Sequence, residues 1–472
     1  MEGNLIRQKT FPCVIITSSK LNNYIETNMD QATALKILKS GANVFLTGEA
    51  GSGKSYLLKQ FMEFLKDNKV NFAATASTGI AASHFGGFTI HAWAGIGIKE
   101  YFTEENYLAL RKRPNTIDRI QRCKVLFLDE ISMLHRKQLE LTDQVMRVIR
   151  ACDKPFGGVQ LVICGDFYQL PPVGKKDEKF KDKFAFMSQS WVEADLQVCY
   201  LNKQYRQSSG PLSDILNNIR ANTVTEEDFN TLKKRATVFN QHEVLKLFTH
   251  NVNVDRINLS KLYALEGKIQ TFTAESKGPE ALVKNLKDSV RCPEILELKL
   301  NAKVMFVKNN DEDGYMNGTQ GIITGFEKSD DTDNIIPIVT TTDGRLIPAE
   351  LQTWEIIENE AVVASYKQIP LRLAWAITIH KSQGMTLSEA EVDLNKTFED
   401  GMGYVALSRL QSIEGLSLIG INPNALNLNT LARKADIRFK ELSAEHEQKW
   451  NLSETDIKKY HDNAMQWYKK RK

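Results

Sequence analysis

"NVFLTGEAGSGKSYLL", residues 43–58, decides the fold. Its first six residues form a short, mostly apolar run ending in glycine, the pattern of a buried strand. From Lys54 onward, "KSYLLKQFMEFLKDN" (54–68) takes helical spacing. Between strand and helix, "GEAGSGKS" (48–55) fits G-x-x-x-x-G-K-S/T. In such a loop, backbone N–H groups and a helix N-terminus together cradle a phosphate. Gly48, Glu49, Ala50, Gly51, Ser52 and Gly53 would line the cradle. Lys54 would reach the β- and γ-phosphates, and Ser55 would hold Mg²⁺. A chance match in a chain this long is on the order of one in a hundred, from ordinary glycine usage. The flanking strand and helix argue against a bare glycine-rich turn.

Working outward, "VNFAAT" (70–75), "KVLFLDE" (124–130) and "VQLVICGD" (159–166) are further short apolar runs with acidic or polar ends. They read as buried parallel strands joined by crossover helices, an α/β doubly wound domain with its ligand at the strand carboxyl ends. Residues 94–120 are charged and mostly helical, interrupted by Pro114, and read as an excursion from the sheet. A second α/β region begins near 205 and holds "VLKLFTHN" (244–251) and "KVMFVKN" (303–309). From 318 to 368, short β-type runs with turns such as Asp343-Gly344 predict a small inserted β-barrel. The expected division is an extension 1–27, domains 28–204 and 205–432, and a charged helical tail 433–472.

The net charge of +3 in 472 residues says little about partners, so contact with a polyanion must come from a local groove. Six scattered cysteines, Cys13, Cys123, Cys152, Cys164, Cys199 and Cys292, show no C-x-x-C spacing. That argues against zinc and against a disulfide framework, and fits a reducing compartment. No apolar run is long enough to span a bilayer. The first twenty residues lack a signal-peptide core; their basic and hydroxyl residues are compatible with an organellar presequence. The cytoplasm is expected for a bacterial or viral source, and the nucleus or mitochondrion for a eukaryotic one.

"VLFLDEIS" (125–132) ends a strand with two acids. Behind a phosphate loop, Asp129 fits the Mg²⁺-side carboxylate and Glu130 the general base for an attacking water. Taken alone, such a pair is often a helix cap. "VICGDFYQLPPV" (162–173) ends another strand by presenting Gln169 on a loop stiffened by two prolines. That strand end lies near the γ-phosphate in a P-loop sheet.

"GEAGSGKS", "TASTGIAA", "LFLDEISML", "GDFYQLPPV", "LNKQYRQ", "AITIHKSQGMTL" and "YVALSR" occur in this order. The chain therefore resembles superfamily-one helicases of the 5′-to-3′ branch, most closely the Pif (petite integration frequency) family, with RecD-like and Dda-like helicases as relatives. "RVIRACDKPFGGVQLVICGDF" and "GGFTIHAWAGIG" (86–97) add to it, and the resemblance covers roughly 28–420. One departure is Tyr168, where the family more often has Phe or Leu.

The resemblance implies two RecA-like domains, with 94–120 as a wedge and the 318–368 barrel as a brace. It implies that Gln31 recognises adenine, Gln169 senses the γ-phosphate, and Arg206 and Arg409 reach that phosphate from the second domain. It also places Thr78 and His91 on the DNA face of the first domain, and Thr249, His250, His380, Lys381 and Ser382 on that of the second. His91 and Trp93 could stack on bases or pack internally. The expected activity is ATP-driven strand separation with Mg²⁺, serving replication, repair, recombination or telomere maintenance. Expected partners are single-stranded, duplex or fork DNA, with G-quadruplexes and RNA–DNA hybrids as further family substrates. A monomer, or a dimer on DNA, is implied. The alternative is an ATP-gated clamp or translocase that does not part strands.

Overall fold

Six strands, β1 (Val44–Gly48), β2 (Phe72–Ala76), β3 (Phe88–Thr89), β4 (Val125–Asp129), β5 (Gln160–Cys164) and β6 (Gln197–Leu201), form one parallel sheet in the order β3-β2-β4-β5-β1-β6. In register, Leu46 of β1 faces Cys164 on one side and Cys199 on the other. Strands β1, β4, β5 and β6 are buried at every residue. Both sheet faces are covered, so these strands read as continuous apolar runs rather than alternating ones. Helices α1 (Gln31–Lys39) and α2 (Lys54–Asp67) cover one face, α2 through Leu57, Leu58, Phe61, Met62 and Leu65. The structure, a computed structural model, describes residues 29–470 apart from 79–80, 83–86, 98, 173, 175–177, 206–209, 238–243, 251–253, 291, 309, 311–312, 316, 330–333 and 359–360. The possible presequence and Cys13 lie outside the described residues.

The excursion is a pair of helices, Glu104–Arg111 and Pro114–Arg122. Pro114 occupies the first turn of the second, where a missing N–H costs nothing, so it starts a helix rather than breaking one. Arg119 ties this pair to the short helix Ile90–Trp93, donating to Ala92 O at 2.6 Å and Trp93 O at 2.8 Å. Trp93 itself is buried in the core, which decides for packing over stacking.

The second parallel sheet has the order β18-β7-β19-β20, with β7 at Lys246–Phe248, β18 at Ala376–Thr378, β19 at Ala390–Leu394 and β20 at Leu416–Ile421. Between β7 and β18 the chain builds antiparallel sheets. Strands β8 (Gln270–Thr273) and β10 (Ile295–Leu298) pair, and β9 (Glu275–Lys277) joins β15 (Gln352–Glu358) and β16 (Ala361–Gln368). A five-stranded sheet contains β11 (Lys303–Phe306), β12 (Gln320–Lys328), β13 (Ile335–Thr341), β14 (Leu346–Pro348) and β17 (Leu371–Leu373). "KVMFVKN" therefore belongs to this insertion, not to the second parallel sheet: Lys303 to Met305 pair antiparallel with Ile322 to Gln320. An apolar run alone does not say which sheet it joins. Among the described residues, no helix is long and apolar enough to cross a membrane.

The tail returns to the first sheet as helices Thr430–Lys449 and Glu454–Lys469. Its contacts complete the open edge of β6. Val198 N donates to His446 Nδ1 at 2.8 Å and Tyr200 N to Ser443 Oγ at 3.0 Å, giving edge amides the partners they would otherwise lack. Phe439 inserts among Phe45, Phe167 and Trp191 with centroids 4.9, 6.0 and 6.1 Å away. Phe439→Ala should destabilise the first domain by about 3–5 kcal/mol. Urea unfolding followed by tryptophan fluorescence checks it, and an unchanged midpoint would show that the tail is not part of that core.

Candidate functional site

The phosphate loop takes its shape from Gly51 (φ 89°) and Gly53 (φ 82°), both in the left-handed region. Lys54 Nζ donates to Gly48 O at 2.9 Å and Glu49 O at 2.7 Å, so the ammonium lies inside the loop's curve. Burial pushes its pKa down, against the pull of Asp166, Cys164 and Glu130. Gln31, the first residue of α1, folds against the end of the loop, its Nε2 3.5 Å from Gly53 O. Asp30 caps that helix through Thr33 N at 2.7 Å and so fixes where Gln31 starts. Ala50 and Ser52 are buried within the loop, and Ser55 is exposed one residue into α2.

Asp129 ends β4 and is buried; its Oδ1 accepts from Glu130 N at 2.8 Å. Burial raises its pKa. Glu130 follows with φ 51° and ψ 46°, a left-handed conformation that a long side chain adopts only under constraint. The constraint includes Ser77, whose hydroxyl donates to Glu130 O at 2.6 Å. Burial, then the charge of Asp129, raises the Glu130 carboxyl to about 7, while Arg409 and Lys54 oppose them.

Arg409 comes from the second sheet's side. It is buried, donating from Nε to Val405 O at 3.0 Å and from Nη2 to Ser408 Oγ at 2.8 Å. Its field acts on Glu130. Gln169, also buried, accepts at Oε1 from Gln383 Nε2 at 3.3 Å. The "GDFYQLPPV" loop is thus the seam between the sheets. Gly401 (φ 85°) approaches so closely that a Cβ there would lie 2.6 Å from Tyr168 O. Lys54, Asp129, Glu130, Gln169 and Arg409 are all brought to this seam. Arg206 lies outside the described residues; Tyr205 N, immediately before it, donates to Gly51 O at 3.0 Å.

The expected DNA residues divide by exposure. Thr249 Oγ1 lies 2.8 Å from His250 Nδ1, and the exposed ring of Phe398 packs 4.7 Å from His250 and 6.5 Å from His380. Lys381 is half-buried beside His380, and burial lowers the His380 pKa. Ser382 is wholly buried and donates to Ile379 O at 2.7 Å, so its side chain shapes the turn. On the first domain, Thr78 Oγ1 accepts from Ala81 N at 3.3 Å. His91 is half-buried, its pKa lowered by burial against a hydrogen bond with Gln138.

Sequence reasoning gave no part to Gln383, Phe398 or Arg220. Gln383 stands inside "AITIHKSQGMTL" and could have been found there. Phe398 and Arg220 carry no local signal, because their partners come from distant parts of the chain.

A family model described as PIF1-like helicase matches residues 20–226. The ATP-dependent DNA helicase Pif1 of Psychrobacter sp. is 47% identical over 91% of this chain and 73% of its own length. A crystal structure of Bacteroides sp Pif1 in complex with ADP-AlF4 is similar at 30% identity and TM-score 0.72, covering 89% of this chain and 98% of that one. Another, of Bacteroides Pif1 in complex with ADP-AlF3 and ssDNA, matches at 30% identity and TM-score 0.59 over the same shares. With its two parallel sheets meeting at a phosphate loop, the chain belongs to the PIF1-like helicase family.

Proposed function

We propose that this protein is an ATP-dependent DNA helicase that steps 5′-to-3′ along single-stranded DNA and parts the duplex ahead. The observation that carries this is the seam. Lys54, Glu130 and Gln169 stand on the first domain, and Arg409 and Gln383 on the second, within reach of one another. The phosphates of ATP would lie against Lys54 and the loop amides, with Gln31 beside the base. Mg²⁺, when bound, would be held by Asp129 and Ser55 and would neutralise phosphoryl charge. The substrate complex reported for the Bacteroides relative supports the pairing of nucleotide and strand.

Negative charge at the seam would draw Arg409 inward, and its loss after hydrolysis and phosphate release would free it. The strand would run over Thr78 and His91 on one side and His250, His380 and Lys381 on the other, with the buried Thr249 holding His250 in place. If their grips alternate, each cycle becomes a step. One stacked base pair costs roughly 1.4 kcal/mol to melt, well within one hydrolysis. The helices Glu104–Arg111 and Pro114–Arg122 would serve as the wedge, and the antiparallel insertion as the brace. Forks and tailed duplexes are the proposed substrates; G-quadruplexes and RNA–DNA hybrids rest on family resemblance alone. Two duplexes, one with a 5′ overhang and one with a 3′ overhang, test this with ATP. Strand separation is expected from the 5′-tailed duplex; preference for the 3′ tail would reverse the polarity, and inertness on both would favour a clamp.

A further inference from the structure

The second residue of the phosphate loop is an acid, Glu49. A carboxylate there stands beside the place where phosphates bind, and like charges at that range weaken binding. The structure shows what holds it. Gln204 Nε2 donates to Glu49 Oε2 at 2.7 Å. Arg220 Nε approaches Glu49 Oε1 to 3.8 Å, and this buried Nε makes no hydrogen bond among the described residues. The other guanidinium nitrogens are committed. Nη1 donates to Asp166 Oδ2 at 2.8 Å and Tyr404 OH at 2.7 Å, and Nη2 to Tyr200 OH at 2.6 Å and Asp436 Oδ1 at 3.4 Å. The guanidinium also lies over the Tyr168 ring, 4.5 Å from its centroid. Arg220 stands on helix Pro211–Ala221, which packs on helix Met402–Leu407 of the second domain.

We propose that Gln204 and Arg220 form a clamp on the Glu49 carboxylate, holding it off the phosphates and thereby setting the affinity for ATP. This rests on the nucleotide-binding reading above. Arg220 is a positioning residue: it acts through Glu49. Asp166 and Tyr200, on the same domain as Glu49, fix the guanidinium with its Nε turned to that carboxylate, so the clamp sets ATP affinity through the position of Glu49.

The test is steady-state ATP hydrolysis at saturating single-stranded DNA for wild type, Arg220→Lys and Gln204→Glu, and for each variant combined with Glu49→Gln. Lysine keeps the charge, but its single nitrogen cannot serve Asp166 and Glu49 together. Gln204→Glu sets a second carboxylate against Glu49 and leaves the buried network untouched. We expect KM for ATP to rise about tenfold in each single variant, with a smaller change in kcat, and Glu49→Gln to restore it to within about twofold. An unchanged KM, or a raised KM that Glu49→Gln does not restore, overturns the clamp. If thermal melting shows that Arg220→Lys is unfolded at the assay temperature, Gln204→Glu decides alone. Failure of the wild type to hydrolyse ATP would instead overturn the nucleotide-binding reading.

Discussion

Glu130→Gln should lower DNA-stimulated ATP turnover roughly 100- to 10,000-fold, the range for loss of a positioned general base, while nucleotide still binds. The substitution keeps the side chain's shape and removes only its ability to take a proton. Binding is carried by the loop amides and Lys54, which the change leaves in place. The raised Glu130 carboxyl adds a pH signature. Only the ionised form accepts a proton, so kcat/KM for ATP should rise with pH through about 7 and fall away below it. Mg²⁺ bound beside Asp129 would stabilise the carboxylate, so the corresponding limb in kcat should lie lower. In Glu130→Gln this acidic limb should vanish. Rapid strand separation by the variant, or a limb that persists, would remove Glu130 from the chemistry.

Arg409→Ala should abolish hydrolysis to a similar degree, roughly 1,000-fold or more, the scale for an arginine that stabilises charge in phosphoryl transfer. Its charge lies near Glu130 and does two things: it favours the ionised base, and it stands ready for the negative charge that grows on the transferring group. Losing it should therefore also move the acidic limb upward. Fluorescent-nucleotide titration separates the outcomes. Retained binding with lost turnover is expected, and turnover near wild type would place Arg409 outside the site. Because its Nε and Nη2 also hold Val405 O and Ser408 Oγ, Arg409→Lys is the useful companion. It restores charge without the fork and should recover the limb more fully than the rate.

What could be read from sequence was what is local. The β1–loop–α2 unit is contiguous, its glycines and lysine spaced by backbone geometry, so residues 43–58 announce it. The strands β4 and β5 are buried on both faces and so are unbroken apolar runs. Asp129 and Glu130 stand out because they close the β4 run, and Gln169 because it lies on the proline-stiffened loop after β5. The family resemblance supplied Gln31, Arg206 and Arg409, which no spacing could. Three kinds of feature escaped. Lys303–Phe306 has the texture of a parallel strand but pairs antiparallel, because pairing is decided by what lies across from it. Ser382 was grouped with DNA contacts by motif, yet burial commits its hydroxyl to Ile379. Arg220 draws partners from five separate segments (Glu49, Asp166, Tyr200, Tyr404 and Asp436), so its position becomes visible only once the chain has closed on itself.

The edge of β6 has a further consequence for biosynthesis. Tyr200 waits for Ser443, 243 residues further along the chain. At ribosomal speeds of about 5–20 residues per second, that gap lasts on the order of ten to fifty seconds. For that interval a nascent first domain shows an unpaired strand edge and an aromatic nest without Phe439, a surface suited to holding chaperones and to misassembly between neighbouring polysomes.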